Sequence, residues 1–217
     1  MMSDKTFSIK EALQFGWDTL QANVVLYLKL LAILVVLSII PAMIVGKLSA
    51  ATGGIVGIPL QFLNIVWQSV LGMGVLKICL KLYDKKTVDF TDLWSSAPLI
   101  LNYLITKFIF SVIVLVGFIL LIIPGMIWMM QFYLSTYLVI DRGATPMQAL
   151  KASSAITQGA KWDLGIFTTV SALINLGGLL LLGVGVMVTL PVTILASVHI
   201  YRTLLSKTPS VNNLLQS

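Results

Sequence analysis

The chain has 217 residues, a formal net charge of +6, 58% hydrophobic residues and 10% charged ones. Soluble domains run at roughly 45–50% and about 25%, so with a mean hydropathy of +1.00 these figures exclude a soluble domain and specify a multi-pass membrane protein. The basic residues stand singly beside apolar runs, which is the pattern of membrane topology and not of a nucleic-acid interface.

Cys79 is the only cysteine, so one chain can form neither a disulfide framework nor a cysteine metal site. The N-terminal stretch lacks the basic start and small-residue cleavage site of a signal peptide, and the first apolar segment is expected to be retained.

In chain order, Ser8 and Glu11 form a capping box, with Phe7 and Ala12 at the staple positions. The helix that follows carries Ile9, Leu13, Gly16, Trp17 and Leu20 on one side, which predicts an amphipathic helix over residues 1–22 lying in the membrane interface. Segment one is expected over 23–46, with Lys29 snorkelling to the headgroups and Pro41 kinking the outer end. A small, flexible link over 47–57 leads to segment two, which starts near Pro59 and ends in Lys77, Lys81, Lys85 and Lys86.

Asp89 and Asp92 repeat the capping pattern, and Pro98 ends the short helix they open. Segment three is expected over 99–123 and segment four over 126–140, with Pro124-Gly125 as the turn between them. Segment four is short for a span. Thr145 and Gln148 form the third box, with Pro146 at the first helical position. Segments five (164–182) and six (184–204) follow, and the polar residues 206–217 read as a flexible tail.

These elements suggest a tandem repeat. Ser8, Asp89 and Thr145 each open a short helix before a pair of apolar segments, with Gly16, Ala97 and Ser153 eight positions after the caps. Trp17, Trp94 and Trp162 fall near one interface. The units are an interfacial helix at 1–22 with hairpin one over 23–82, then interfacial helix and hairpin over 88–140 and again over 145–205. Of the 14 Lys and Arg residues, Lys47 alone falls on the side away from the termini. That bias places both termini in the cytoplasm, with external links at 47–57, at Pro124-Gly125 and near Gly183.

No constellation of residues announces chemistry. The sole histidine, His199, lies near the inner end of segment six, where a satisfied or solvated histidine is expected. The eight carboxylates (Asp4, Glu11, Asp18, Asp84, Asp89, Asp92, Asp141 and Asp163) fall at interfaces or in loops, and none lies mid-membrane as a proton relay would. Asp141-Arg142 reads as an ion pair closing segment four. The remaining candidates are polar faces inside apolar runs. Gln61, Asn64 and Gln68 share one face of segment two, extended by Gly72. Thr189, Thr193 and Ser197 recur every four residues in segment six, with Gln131, Ser135 and Asn175 in segments four and five. Such faces serve as glue between helices or as the lining of a cleft for a solute or lipid headgroup. They are expected to point into the bundle.

The stretch 122–162 resembles bacterial membrane proteins related to the membrane domain of glycerophosphoryl diester phosphodiesterases. The resemblance rests on Ile123-Pro124-Gly125, the aromatic segment Trp128 to Asp141, the run Ala149-Leu150-Lys151-Ala152-Ser153, and Thr157-Gln158-Gly159-Ala160-Lys161-Trp162. It implies a six-span membrane protein, with Pro124, Gly125, Asp141, Thr145, Ser153 and Gly159 as structural motif residues. The soluble phosphodiesterase domain of some relatives has no counterpart here.

The expectation is therefore an all-α membrane protein of six transmembrane helices with three short interfacial helices. It is read as a multi-pass protein of the plasma (inner) membrane and as a non-enzymatic module without cofactor or metal. Its partners would be the lipid bilayer and a protein or a second copy of the chain, with no nucleic acid. The alternative is a small transporter or lipid-handling protein with a polar cleft.

Overall fold

A computed structural model describes residues 6–180 and 184–216, with the side chains of 53–55, 184 and 216 left out. The protein is 87% helical, and the described residues contain no strand. Six stretches are long and apolar enough to cross a membrane: Val24–Thr52, Val56–Tyr83, Phe90–Leu120, Ile122–Arg142, Lys161–Leu180 and Gly185–Ser206. This is an all-α membrane protein.

Helix α1 (Ile9–Ala22) starts at Ser8, whose Oγ accepts the Glu11 N–H at 3.2 Å. Its apolar face is turned to another helix. A Cβ on Gly16 would stand 2.3 Å from the Val192 carbonyl oxygen, so α1 packs backbone to backbone on α8 (Val184–Ser206). Phe15 meets the His199 ring at 5.0 Å, and Lys207 Nζ donates to Thr6 O at 2.6 Å. The two helices run antiparallel, and the described N- and C-terminal ends lie at one end of the bundle. The apolar face of α1 meets a helix there, and glycine permits the approach.

Helix α2 covers Val24–Tyr83, 60 residues, which would extend about 90 Å if straight. It doubles back instead. Trp67 Nε1 donates to Leu37 O at 2.7 Å, and a Cβ on Gly57 would lie 3.2 Å from the Ser49 Cβ. The expected flexible link over 47–57 is thus corrected, because the backbone stays helical through the bend. Contacts with the rest of the protein gather toward the base of this hairpin: Gly74 against Leu93, Lys77 Nζ on Ile140 O, and Lys81 Nζ on Asp92 Oδ1 at 2.5 Å. Only 6% of the most apolar stretch of the first arm is buried, against 50% for α8. The first arm therefore turns most of its apolar surface outward, while 39% of the corresponding stretch of the second is buried.

The second cap opens two 3-10 turns, Phe90–Leu93 and Ala97–Leu99, in place of the amphipathic α-helix expected. Asp92 Oδ2 accepts the Asp89 N–H at 2.8 Å, and Pro98 sits inside the second turn. Helix α3 (Ile100–Leu120) ends at Leu121, whose backbone is extended (φ −167, ψ 151), and α4 (Ile122–Phe132) begins at once. This moves the turn from Pro124-Gly125 to Leu121. Proline suits the first turn of a helix because its missing N–H would have no partner there. Gly125 serves a close approach, since a Cβ on the facing Gly117 would lie 2.7 Å from its Cα.

After a break at Tyr133 and Leu134, α5 (Ser135–Arg142) is closed by Gly143 at φ 66. Starting at Ile122, the fourth span reaches 21 residues, enough for the hydrocarbon layer. Helix α6 (Pro146–Thr157) follows Thr145, whose N–H donates to Gln148 Oε1 at 3.0 Å. Ala149, Ala152 and Ile156 are fully buried while Met147 and Lys151 are exposed, so α6 is amphipathic and lays one face on the bundle. Gly159 at φ 92 turns the chain into α7 (Lys161–Leu180). The expected link near Gly183 lies outside the described residues. The expected flexible tail is also corrected: α9 (Val211–Gln216) docks on α6 with Val211 buried, and Thr208 Oγ1 donates to Leu204 O at 3.0 Å.

Candidate functional site

The polar face of the second arm divides. Gln68 Nε2 donates to Ser38 O at 3.1 Å across the hairpin, and Asn64 is half-buried with Oδ1 unpartnered. Gln61 is exposed, against the expectation that all three amides point inward. It lies near the bend, beyond the reach of the other helices, where a long side chain can approach the headgroups. Trp67 serves the kink at Pro41, and Gln68 adds a bond to the neighbouring Ser38 carbonyl. A proline in a helix has no N–H for the carbonyl four residues back, here Leu37, and a bare carbonyl in hydrocarbon costs several kcal/mol.

The face on α8 is used in the same way. Asn175 Nδ2 donates to Thr193 Oγ1 at 3.2 Å, and Ser197 Oγ lies 3.0 Å from Tyr133 Oη. Thr189 Oγ1 is buried without a partner, close under Gly178. Pro191 repeats the arrangement at Pro41, because Tyr27 Oη donates to the carbonyl of Met187, four residues before it.

Gln131 ties three helices at the foot of α4. Ser153 Oγ donates to its carbonyl at 2.9 Å, and the Thr157 hydroxyl shares its one proton between that carbonyl at 3.1 Å and Ser153 O at 2.9 Å. The Gln131 Nε2 donates to Ser154 Oγ at 2.8 Å, and Lys161 Nζ donates to its Oε1 at 2.8 Å. The carbonyl is free because the helix breaks two residues later. Ser135 Oγ closes the break itself, donating to Phe132 O at 2.7 Å.

Asp141 is the centre of an ionic clasp. Its carboxylate accepts two bonds from Arg202 (2.8 and 2.9 Å), one from Tyr201 Oη at 2.8 Å and one from Arg142 Nε at 3.1 Å. Arg202 Nη2 also donates to Asp84 Oδ2 at 2.7 Å. The expected Asp141-Arg142 pair is present, but the bidentate partner comes from α8. A single guanidinium thus joins the ends of α2, α5 and α8, beside an open pocket of about 610 Å3. Sequence reasoning missed this clasp. Its one signal was that Asp84, Asp141 and Arg202 all fall at the same end of their segments. His199 is packed between Phe15 and Tyr83, at 5.0 and 5.7 Å, with Nδ1 unpartnered.

A second opening, about 320 Å3, lies between α3 and α4–α5, with Tyr103, Tyr133 and Tyr137 among its lining. Lys107 and Ser111 stand one turn apart on its α3 side. The Lys107 ammonium lies 5.7 Å from the Tyr103 ring centroid. Among the described residues, no three His, Cys, Asp or Glu side chains gather where a metal could be held. Asp4 lies outside those residues.

Compared with protein-family models, with curated proteins and with solved structures, the chain matches none.

Proposed function

We propose that this protein is a non-enzymatic membrane module of the plasma membrane, with both termini cytoplasmic, that acts by holding lipid or protein partners. One observation carries the reading. Several of the amides and hydroxyls a conduit would need are spent on bonds within the bundle: Gln68 on Ser38, Asn175 on Thr193, and Ser197 with Tyr133. The orientation is supported by the meeting of Thr6 and Lys207 at one end, together with the basic residues that crowd that end. Kinship with the phosphodiesterase membrane domains belongs to the same proposal. The residues behind it have structural work here, Ser153 and Thr157 on the Gln131 carbonyl and Gly159 at a positive φ.

A second reading, a small transporter with a polar cleft, draws on the buried polar atoms left without partners, Asn64 Oδ1, Asn175 Oδ1 and Thr189 Oγ1. Liposomes carrying the protein and trapped small solutes separate the two. The module reading expects wild-type liposomes as tight as empty ones, and Gln68→Leu and Asn175→Leu variants with lowered melting temperatures. Solute exchange by the wild type, abolished in variants that still fold, would establish the conduit instead.

A further inference from the structure

Lys107 is a cation inside a membrane-spanning helix. Counted from the turn at Leu121, it lies 14 residues along α3, about 21 Å of helix. A hydrocarbon layer is about 30 Å thick, so its Cα falls inside the apolar layer, on the side of the termini. No carboxylate among the described residues pairs with it, and its one recorded partner is the face of Tyr103. A lysine held there needs an anion or a path to the headgroups.

The groove around it supplies the rest of a binding site. Ser111 lies one turn further into the membrane on the same face, and Thr136 lies across the groove on α5. Among the described residues neither hydroxyl has a hydrogen-bond partner, whereas Ser135 beside them is already bonded to Phe132 O. Phe110 and Phe132 add apolar wall next to the lysine, and Tyr103 contributes a ring with a polar tip at interface depth. One ammonium, two free hydroxyls and an apolar wall suit a phosphodiester with acyl chains attached. An uncharged peptide would leave the lysine unpaired.

We infer that this groove holds the phosphate of an anionic glycerophospholipid from the leaflet on the side of the termini, with Lys107 as its counter-ion and Ser111 and Thr136 as donors to its oxygens. The inference rests on the reading that the protein acts through lipid partners, and it names the lipid class and the place.

The test uses the whole chain purified in detergent. Retention of added phosphatidylglycerol or phosphatidylcholine is followed by native mass spectrometry, and melting temperature by a thermal shift. The wild type is expected to retain phosphatidylglycerol over phosphatidylcholine and to melt higher with it. Loss of the charged contact in Lys107→Gln should cut retention about tenfold, while Lys107→Arg keeps it. Ser111→Leu fills the groove without touching the charge and should give the same loss, so a folding defect in one variant does not decide the result. Inorganic phosphate at millimolar concentration should shift nothing. A matching shift from phosphate alone would reduce the groove to a free-anion site and overturn the lipid assignment. An undiminished preference in Lys107→Gln and Ser111→Leu would overturn the site while leaving a lipid-binding module with its lipid elsewhere. Equal retention of both lipids by the wild type would overturn the inference, and retention of neither would overturn the lipid reading with it.

Discussion

Trp67 Nε1 donates to the carbonyl of Leu37 at 2.7 Å, and Leu37 stands four residues before Pro41. The proline therefore creates the acceptor that the tryptophan of the other arm satisfies. This makes a specific prediction. Trp67→Phe leaves the Leu37 carbonyl bare and should cost about 1–2 kcal/mol. In a Pro41→Ala background, residue 41 regains an N–H for that carbonyl, and the same change should cost much less. Unfolding of the four proteins in detergent measures the difference, and additive losses would refute the pairing.

Two glycines of the second arm, two residues apart, should behave in opposite ways. A Cβ on Gly74 would lie 2.2 Å from Leu93 O, whereas one on Gly72 meets nothing within 4 Å. Gly74→Ala must push the 3-10 turn away, at about 1–3 kcal/mol. Gly72→Ala should be neutral or stabilise by up to about 1 kcal/mol, because alanine is the better helix former. Melting temperatures of the two variants are expected to move in opposite directions or to differ sharply.

The Gln131 carbonyl has one hydroxyl donor in Ser153 and a second in Thr157, whose proton it shares with Ser153 O. Ser153→Ala or Thr157→Val alone leaves one of them in place, and each should cost less than about 1 kcal/mol. The double variant orphans a buried carbonyl, and its cost should exceed the sum of the single losses. Equal or smaller loss in the double variant would mean that the carbonyl finds another donor.

Arg202 and Asp141 expose only 15% and 10% of their side chains. Arg202→Met strips the main partner from two carboxylates at once. Breaking a buried pair costs about 3–5 kcal/mol, and Tyr201 and Arg142, which remain on Asp141, place this case toward the lower figure. Hydrogen exchange should rise first at the ends of α2, α5 and α8. Protection unchanged at those ends would show that the clasp is not what joins them.

Topology is read by single cysteines in a Cys79→Ala background. Thr6 and Ser210 are expected to resist an impermeant thiol reagent added to intact cells, and Ala51 to react. Labelling of Thr6 or Ser210 from outside would reverse the orientation.

The spans were legible because about 20 apolar residues in a row admit few other readings, and the caps because they are local to three or four residues. Placement was not legible. An amphipathic helix such as α1 reads the same whether its apolar face meets lipid or another helix, and only Gly16 hinted at a close neighbour. The turn at Leu121 left no mark, since one extended leucine in an apolar run looks like any other, while Pro124-Gly125 drew attention to a helix start. The polar faces of the second arm and α8 were visible by spacing. Their acceptors, Leu37, Ser38 and Met187, were not, because a carbonyl freed by a proline has no side-chain signature. Arg202 could not be paired with Asp84 and Asp141 without knowing which ends come together.

The packing of α1 against α8 orders events during synthesis. Helix α1 leaves the ribosome before the helix that covers its Gly16 face, with all the other spans between them. Throughout elongation that face waits bare, while the first hairpin, whose kink is repaired by its own two arms, can insert and hold its shape. A nascent chain stalled anywhere before Val192 would carry an uncovered amphipathic helix at the membrane surface, open to chaperones and to proteolytic surveillance. Only translation as far as α8 supplies the surface that covers the Gly16 face.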